Sequence, residues 1–215
     1  MRKFFLSALL LASLFLLFCY VDVIPLPLRF AEQASTAPAR AYSTSSWEKA
    51  KRKAQAIRSF AVSNGYDSQY CFLVDMSIHS GKNRFFVYRL DRDSIEYSGL
   101  VTHGSGSDNQ TTVAKTYSNR PNSHCTSLGR YKIGHSYMGK FGLAYKLYGL
   151  DAGNSMALQR FVVLHGHGCV PDGEVYPQTI CLSLGCPTVS PAFLTRLQGI
   201  IDQRDQPVLL WIYDQ

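Results

Sequence analysis

From Gly65 to the C-terminus, short apolar runs alternate with segments of glycine, proline, asparagine and serine, and this alternation restricts the fold more than any other feature. Apolar runs of this length between turn-forming residues are typical of β-strands. The predicted strands cover residues 70–78, 84–90, 96–101, 128–133, 143–150, 161–164 and 207–213. Many short strands predict a mostly β domain, built as a sandwich or barrel with peripheral helices.

Three helices are predicted around these strands. Apolar residues recur at helical spacing from Trp47 to Ala61, after Ser45 or Ser46 as a cap and before Gly65 as a stop. The opposite face of this helix carries lysine and arginine, which is typical of a solvent-exposed surface. A short helix is predicted over 154–160 and another, opened by Ser190, over 191–202.

Residues 1–24 are predicted to be a signal peptide or a membrane anchor. Arg2 and Lys3 precede an uncharged apolar run over residues 4–21, the pattern of a positive region followed by a hydrophobic one. A span of about 20 apolar residues crosses a bilayer, so the run fits either alternative. Both place the remainder outside the cytoplasmic membrane. Residues 25–46, rich in Pro, Ala, Ser and Thr, predict a flexible linker, which leaves 47–215 as one domain.

Export affects how the cysteines are interpreted. Five of the six lie after the predicted leader, and in an oxidising compartment an odd number leaves at least one thiol unpaired. Cys169 and Cys181 bracket a short segment rich in turn residues and are the most natural pair. Four of the five can pair and leave Cys186 free. The alternative, in which all five are reduced, also fits the sequence.

The charge of the chain excludes one class of partner. The formal net charge is +7 at pH 7, a modest excess that suits anionic envelope polymers and also keeps a protein soluble. No run of lysine and arginine is dense enough to indicate nucleic-acid binding. His165, His167 and Cys169 lie close in sequence, but their spacing matches no usual metal site.

The segment 183–186, Ser-Leu-Gly-Cys, has the composition of a nucleophile turn. A reactive thiol requires a nearby base and backbone donors that stabilise an oxyanion. The amides of Gly185 and Cys186 are the predicted donors. His165 follows an apolar run and so lies at a strand end, and His167 has the same strand parity. Either histidine is a candidate base.

The order and context of these residues resemble the L,D-transpeptidase catalytic domain family, in the YkuD-like group whose Ser-x-Gly-Cys motif is relaxed. The resemblance covers residues 98–213. Six blocks carry it in the same order: 100–106, 117–119, 127–131, 148–150, 160–166 and 183–187. It implies an L,D-transpeptidase-like β sandwich or barrel in residues 47–215, a cysteine-dependent acyltransferase.

The resemblance also implies a reaction and its residues. Cys186 attacks the carbonyl of the third residue of a peptidoglycan stem peptide, the terminal D-alanine leaves, and the thioester passes to an amine of a neighbouring stem. His165 is the implied base, with His167 as the alternative, and no metal or organic cofactor is implied. The other predicted site residues are Ser183 and Gly185 in the catalytic turn and, for substrate binding, His103, Ser118, Asn119 and Arg160.

The chain departs from the family pattern beside the nucleophile. Cys181 and Leu182 stand where related sequences carry Gly-Arg, and Leu184 stands where the commoner motif has histidine. An arginine there would hold a substrate carboxylate or fix the loop. We hypothesise that a bridge between Cys169 and Cys181 replaces it as a loop brace.

Three functions fit these residues. The first is transpeptidation, the second L,D-carboxypeptidation with water as acceptor, and the third peptidoglycan binding by an inactive envelope protein. The third predicts loss of the Cys/His pair, which is present. Papain-type and NlpC-type peptidases place the cysteine before the histidine, opposite to this chain. The expected location is the periplasm or cell envelope, with attachment to the inner membrane if residues 1–24 are retained.

Overall fold

The computed structural model describes residues 44–107 and 116–214. The predicted leader, 1–24, lies outside the described residues, as does the linker up to residue 43. Helix α1 (Thr44–Asn64) begins inside the segment predicted as linker. Within the described ranges, no helix combines the length and the apolarity needed to cross a membrane.

Eight strands form one mixed sheet. They are β1 (Tyr70–Asp75), β2 (Phe85–Arg89), β3 (Ser94–Gly99), β4 (Gly129–Gly139), β5 (Gly142–Gly149), β6 (Val163–Gly166), β7 (Thr188–Val189) and β8 (Leu209–Tyr213). Their order across the sheet is β3-β2-β1-β8-β4-β5-β6-β7. The pairs β1–β8 and β6–β7 are parallel and the other pairs are antiparallel. The predicted mostly β class with peripheral helices is confirmed, and the sheet is open, with β3 and β7 at its edges.

The predicted helix over 154–160 is wrong. Ala152–Asn154 forms a single 3-10 turn, and irregular turns follow it. The fully buried Asn154 side chain donates to the Arg130 carbonyl at 2.7 Å and accepts the Asp151 amide at 2.9 Å. Such side-chain bonds to backbone compete with a helix. Strand β7 was not predicted, because two residues carry no periodic pattern.

Central strand β1 is buried on both faces. Phe72 and Val74 belong to the apolar core that also contains residues of helix α2 (Pro191–Ile201). Cys71 and Leu73 belong to a second core under α1. Because alternate side chains of a strand point to opposite faces, the two helices cover opposite sides of the sheet. The sheet is therefore the middle layer of the domain.

Helix α2 starts immediately after β7 and fixes the end of that strand. Ser190 Oγ accepts the Phe193 amide at 3.1 Å, and Pro191 occupies the first turn, which is a stable helix start. A Cβ on Gly166 would lie 3.2 Å from Pro191 Cα. The start of α2 therefore packs tightly against the end of β6, where the predicted catalytic residues lie.

We predict that Ile57→Ala lowers the free energy of unfolding by about 2–5 kcal/mol, because it leaves a cavity between α1 and the sheet. Ile57 is 0% exposed. The matched control is Val62→Ala on the outer face of the same helix, where Val62 is 67% exposed and the change should stay within about 0.5 kcal/mol. Denaturant unfolding measures both. Equal values for the two variants would contradict the packing of α1.

Candidate active site

Ser183 organises the turn that presents Cys186. Its hydroxyl donates to the Cys186 carbonyl at 2.7 Å and accepts the Gly185 amide at 3.1 Å. Its backbone forms a parallel bridge to Gly104, in which the Ser105 amide donates to the Ser183 carbonyl at 2.7 Å. The Gly185 amide was predicted to be an oxyanion donor, but it already donates to Ser183 Oγ within the turn. The Cys186 amide is the other predicted donor.

Gly185 is required by its backbone geometry. Its φ is +110°, and a Cβ there would lie 2.8 Å from the Cys125 carbonyl oxygen. L-residues rarely adopt such a φ, and the contact leaves no room for a side chain. The nucleophile turn therefore lies directly against the segment around Cys125.

The thiol of Cys186 contacts the backbone segment that leads into β6. Sγ donates to the Phe161 carbonyl at 3.7 Å. Burial raises the pKa of the Cys186 thiol, and the Val163 amide and the charge of Arg160 oppose that rise without cancelling it. The Cys186 thiol is therefore neutral at neutral pH.

His165 is buried at the end of β6. Its Nδ1 lies 3.1 Å from the Gly166 carbonyl oxygen, and its Nε2 lies 3.0 Å from Thr188 Oγ1. Burial lowers the pKa of His165, the Gly166 carbonyl raises it and the nearby His167 lowers it, with a net decrease. The imidazole is therefore neutral at neutral pH and has the protonation state that a base requires.

His167, the alternative base, is placed differently. Its side chain is exposed, and its Nδ1 accepts the Cys169 amide at 3.1 Å. Phe141 stacks on His165 at 5.2 Å between ring centroids and meets His167 edge-on at 5.3 Å. One aromatic ring therefore contacts both histidines.

Two cavities meet at these residues. The larger has a volume of about 350 Å³ and the smaller about 190 Å³. Both are lined by Cys186, His165, Phe141 and Phe161. The larger is also lined by Thr102, Arg160, His167, Cys169, Cys181, Leu182, Ser183, Leu184 and Thr188, and the smaller by Tyr137, Gly139, Lys140, Ala144 and Val163. Cys186 thus borders both cavities.

The rim of the site is apolar. Phe161 is 83% exposed and has a left-handed φ of 55°, a conformation that non-glycine residues adopt at a cost in free energy. Leu182 and Leu184 are also exposed on the larger cavity. These two leucines stand at the positions that depart from the family pattern.

Arg160 lines the larger cavity, but its guanidinium braces the neighbouring loop. It donates to the Ser118 carbonyl at 2.9 Å and the Cys125 carbonyl at 2.6 Å, and it contacts Ser127 Oγ. Ser118 therefore belongs to the loop that Arg160 holds. Asn119 is engaged elsewhere, because its side chain donates to the Ala152 carbonyl at 3.0 Å. Neither Ser118 nor Asn119 lines either cavity.

His103 also lies away from both cavities. It is buried, and its Nδ1 is 3.0 Å from Arg84 Nη2. Arg84 is fully buried and also donates from Nε to the Val101 carbonyl at 2.9 Å. Burial lowers the pKa of Arg84 to about 10, so the guanidinium stays charged at neutral pH. Arg84 therefore supports the segment that pairs with Ser183.

The predicted bridge between Cys169 and Cys181 is confirmed, and both residues line the larger cavity. Within residues 44–107 and 116–214, Cys71, Cys125 and Cys186 are free thiols. Cys186 is the most accessible of the three, since Cys71 and Cys125 are buried. As half of a disulfide, Cys169 offers no thiolate to a metal.

In the larger cavity, sequence reasoning gave no role to Thr102, Phe141, Phe161 and Thr188. It also missed the residues that line only the smaller cavity: Tyr137, Gly139, Lys140, Ala144 and Val163. Phe141 lies in the β4–β5 turn, and no sequence signal connects it with residues 165–167. Thr188 directly follows the Cys-Pro pair, so its place in the nucleophile block was a usable signal. The contact of Thr188 with His165 depends on strand register, which the sequence does not reveal.

A family model described as L,D-transpeptidase catalytic domain matches residues 41–213. No match is found among curated proteins.

The similar solved structures are distant. The helical cell shape determining protein Pgp2 from Campylobacter jejuni is 12% identical, with 70% of this chain and 49% of that chain covered and a TM-score of 0.44. An L,D-transpeptidase from Xylanimonas cellulosilytica is 14% identical, with 72% and 68% covered and a TM-score of 0.36. Bd1075 from Bdellovibrio bacteriovorus is 17% identical, with 68% and 48% covered and a TM-score of 0.40. The chain thus spans about half the length of two of these three structures.

We expect Gly185→Ala to lower the free energy of unfolding by about 1–3 kcal/mol, because the strained φ and the Cys125 carbonyl both oppose a side chain. Gly173→Ala is the control, since a Cβ there meets nothing within 4 Å. Chemical denaturation gives both values. If the two variants had equal free energies of unfolding, the close approach of Gly185 to the Cys125 carbonyl would be refuted.

The disulfide is expected to stabilise the fold and to brace the loop behind the nucleophile. Because the bridge closes a loop with a sequence separation of 12, Cys169→Ser with Cys181→Ser should lower the free energy of unfolding by about 3 kcal/mol. The double variant should also let iodoacetamide reach Cys186 faster, as measured by peptide mass. Wild-type protein treated with reductant is the matched control. Unchanged stability and alkylation would show that the bridge is not a brace.

Proposed function

The chain belongs to the L,D-transpeptidase catalytic domain family, and we propose that it transfers acyl groups between peptidoglycan stem peptides through a thioester on Cys186. The observation that carries this proposal is that Cys186 and His165 line both cavities. An acyl donor in one cavity and an amine in the other would reach the same sulfur atom from two sides, as a two-substrate transfer requires.

In the proposed first half-reaction, His165 Nε2 takes the thiol proton and Cys186 Sγ attacks the carbonyl of the third stem residue. The C–N bond to the terminal D-alanine breaks, the amine leaves with the proton from His165, and a thioester remains. The Cys186 amide is the proposed oxyanion donor. The pKa directions at the site support this order of events, because thiol and imidazole both start neutral and the proton moves only as attack begins.

In the second half-reaction, an amine from a neighbouring stem attacks the thioester. Its proton goes to His165, the C–S bond breaks, and the thiol is restored with the proton from the imidazolium. Lys140, which lines the smaller cavity, is the cation we expect to meet a carboxylate of the incoming stem. With Leu182 and Leu184 on the larger cavity, recognition there rests on apolar contact rather than on an arginine.

The proposed setting is the cell envelope. Residues 47–215 are proposed to be the catalytic domain, and residues 1–24 a signal peptide or an inner-membrane anchor. The positive net charge of +7 favours approach to an anionic polymer. The peptidoglycan substrate itself is inferred from the family.

Incubation with disaccharide-tetrapeptides, followed by mass analysis, tests this function. The expected product is a cross-linked dimer, formed with release of D-alanine. Cys186→Ala should abolish turnover, because no other group replaces the thiolate. The matched control is Cys71→Ala, which removes a free thiol from the core under α1 and should retain dimer formation.

Each alternative product has a distinct meaning. Tripeptide without dimer would contradict transpeptidation and identify water as the acceptor. Unchanged tetrapeptide would overturn both reactions and favour a binding protein. Turnover by Cys186→Ala would rule out a thioester intermediate on Cys186.

A further inference from the structure

Thr188 lies directly beside the predicted base. In the parallel pair β6–β7, His165 and Thr188 are register partners, so their side chains share one face of the sheet. Both residues are buried, and Thr188 Oγ1 is 3.0 Å from His165 Nε2. The threonine hydroxyl is therefore a fixed neighbour of the nitrogen that would carry the transferred proton.

The hydrogen bonds of the ring determine its tautomer. A carbonyl oxygen only accepts, so the contact between His165 Nδ1 and the Gly166 carbonyl at 3.1 Å places a proton on Nδ1. In the neutral ring Nε2 then bears the lone pair, and the Thr188 hydroxyl donates to it. A hydroxyl also accepts, so the same contact serves the ring after Nε2 gains a proton.

Thr188 is itself held by a residue that contacts the nucleophile. Its amide donates to Thr102 Oγ1 at 3.1 Å, and its carbonyl accepts the Thr102 amide at 2.9 Å. Thr102 Oγ1 in turn donates to the Cys186 carbonyl at 3.1 Å. The positions of Thr188 and of the Cys186 backbone are therefore coupled through one threonine.

We propose that Thr188 is a positioning residue for the reaction, which holds His165 in its Nδ1–H tautomer and accepts a hydrogen bond from Nε2 once the ring is protonated. This inference rests on the proposed function. The Thr188 hydroxyl first rotates off the Nε2 lone pair and keeps its own proton. The S–H bond of Cys186 then breaks as an N–H bond forms at Nε2, the sulfur electron pair attacks the carbonyl, and Thr188 Oγ1 accepts from the new N–H.

Several groups act on the charge of the ring. Cys186 lines both cavities together with His165, and His167 lies close enough to His165 to lower its pKa. Lys140, in the turn that carries Phe141, lines the smaller cavity with His165. Burial and the nearby His167 both disfavour the imidazolium, and the Gly166 carbonyl acts in the opposite direction. The acceptor lone pair of Thr188 also opposes burial and His167.

The test compares Thr188→Val, which keeps the shape without the hydroxyl, with Thr188→Ser, which keeps the hydroxyl. In the full chain, Thr188→Val should lower kcat about tenfold with KM unchanged. It should also move the acid limb of the kcat profile to lower pH, because the hydrogen bond lost by the charged imidazolium is stronger than the one lost by the neutral ring. Thr188→Ser should stay within about twofold of wild type.

A double-mutant cycle separates positioning from a structural role. If Thr188 acts through His165, adding Thr188→Val to His165→Ala should leave the pH profile of Cys186 alkylation by iodoacetamide unchanged. If Thr188→Val slowed Cys186 alkylation equally with His165 present and with His165→Ala, the proposal would be overturned. A Thr188→Ser variant with the kinetics of Thr188→Val would also overturn it. Alkylation needs no substrate, so this test is separate from that of the proposed function. Turnover by Cys186→Ala would instead overturn the function itself.

Discussion

The parallel pairing of β6 with β7 is the constraint on which the site depends. It brings His165 opposite Thr188, two residues after Cys186, although 23 positions separate the pair in sequence. Two residues are a short strand, and hydrogen bonds from Thr102 and the Ser190 cap of α2 hold it at both ends. Without these supports a two-residue strand would specify its register only weakly. A one-residue slip would then turn every side chain to the opposite face.

Burial sets the protonation states of Cys186 and His165. The low polarity around Cys186 and His165 raises the pKa of the thiol and lowers that of the imidazole, so both groups rest neutral. Both residues also line the two cavities, so the packing that buries their side chains also borders the open space beside them.

Much of the fold followed from local pattern. The seven predicted strands and the helix after Ser190 are present because turn residues and apolar runs act over short distances. The predicted helix over 154–160 is wrong because the Asn154 side chain donates to the Arg130 carbonyl, a group 24 positions away that only the folded chain brings near. The pairing of Cys169 with Cys181 was predictable from the turn-rich segment between them.

The sequence by itself determined the mostly β class, the Ser-Leu-Gly-Cys segment that ends at Cys186 and the histidine segment that precedes it, because these are local properties of residue type and order. Only the tertiary structure decided which groups meet. It placed His165 against Thr188 and left His167 exposed. It stacked Phe141 on His165 and set it edge-on to His167, and it bonded the Gly185 amide within its own turn. It also buried His103 against Arg84. Register, burial and long-range hydrogen bonds arise only when distant segments pack together, and no local pattern encodes them.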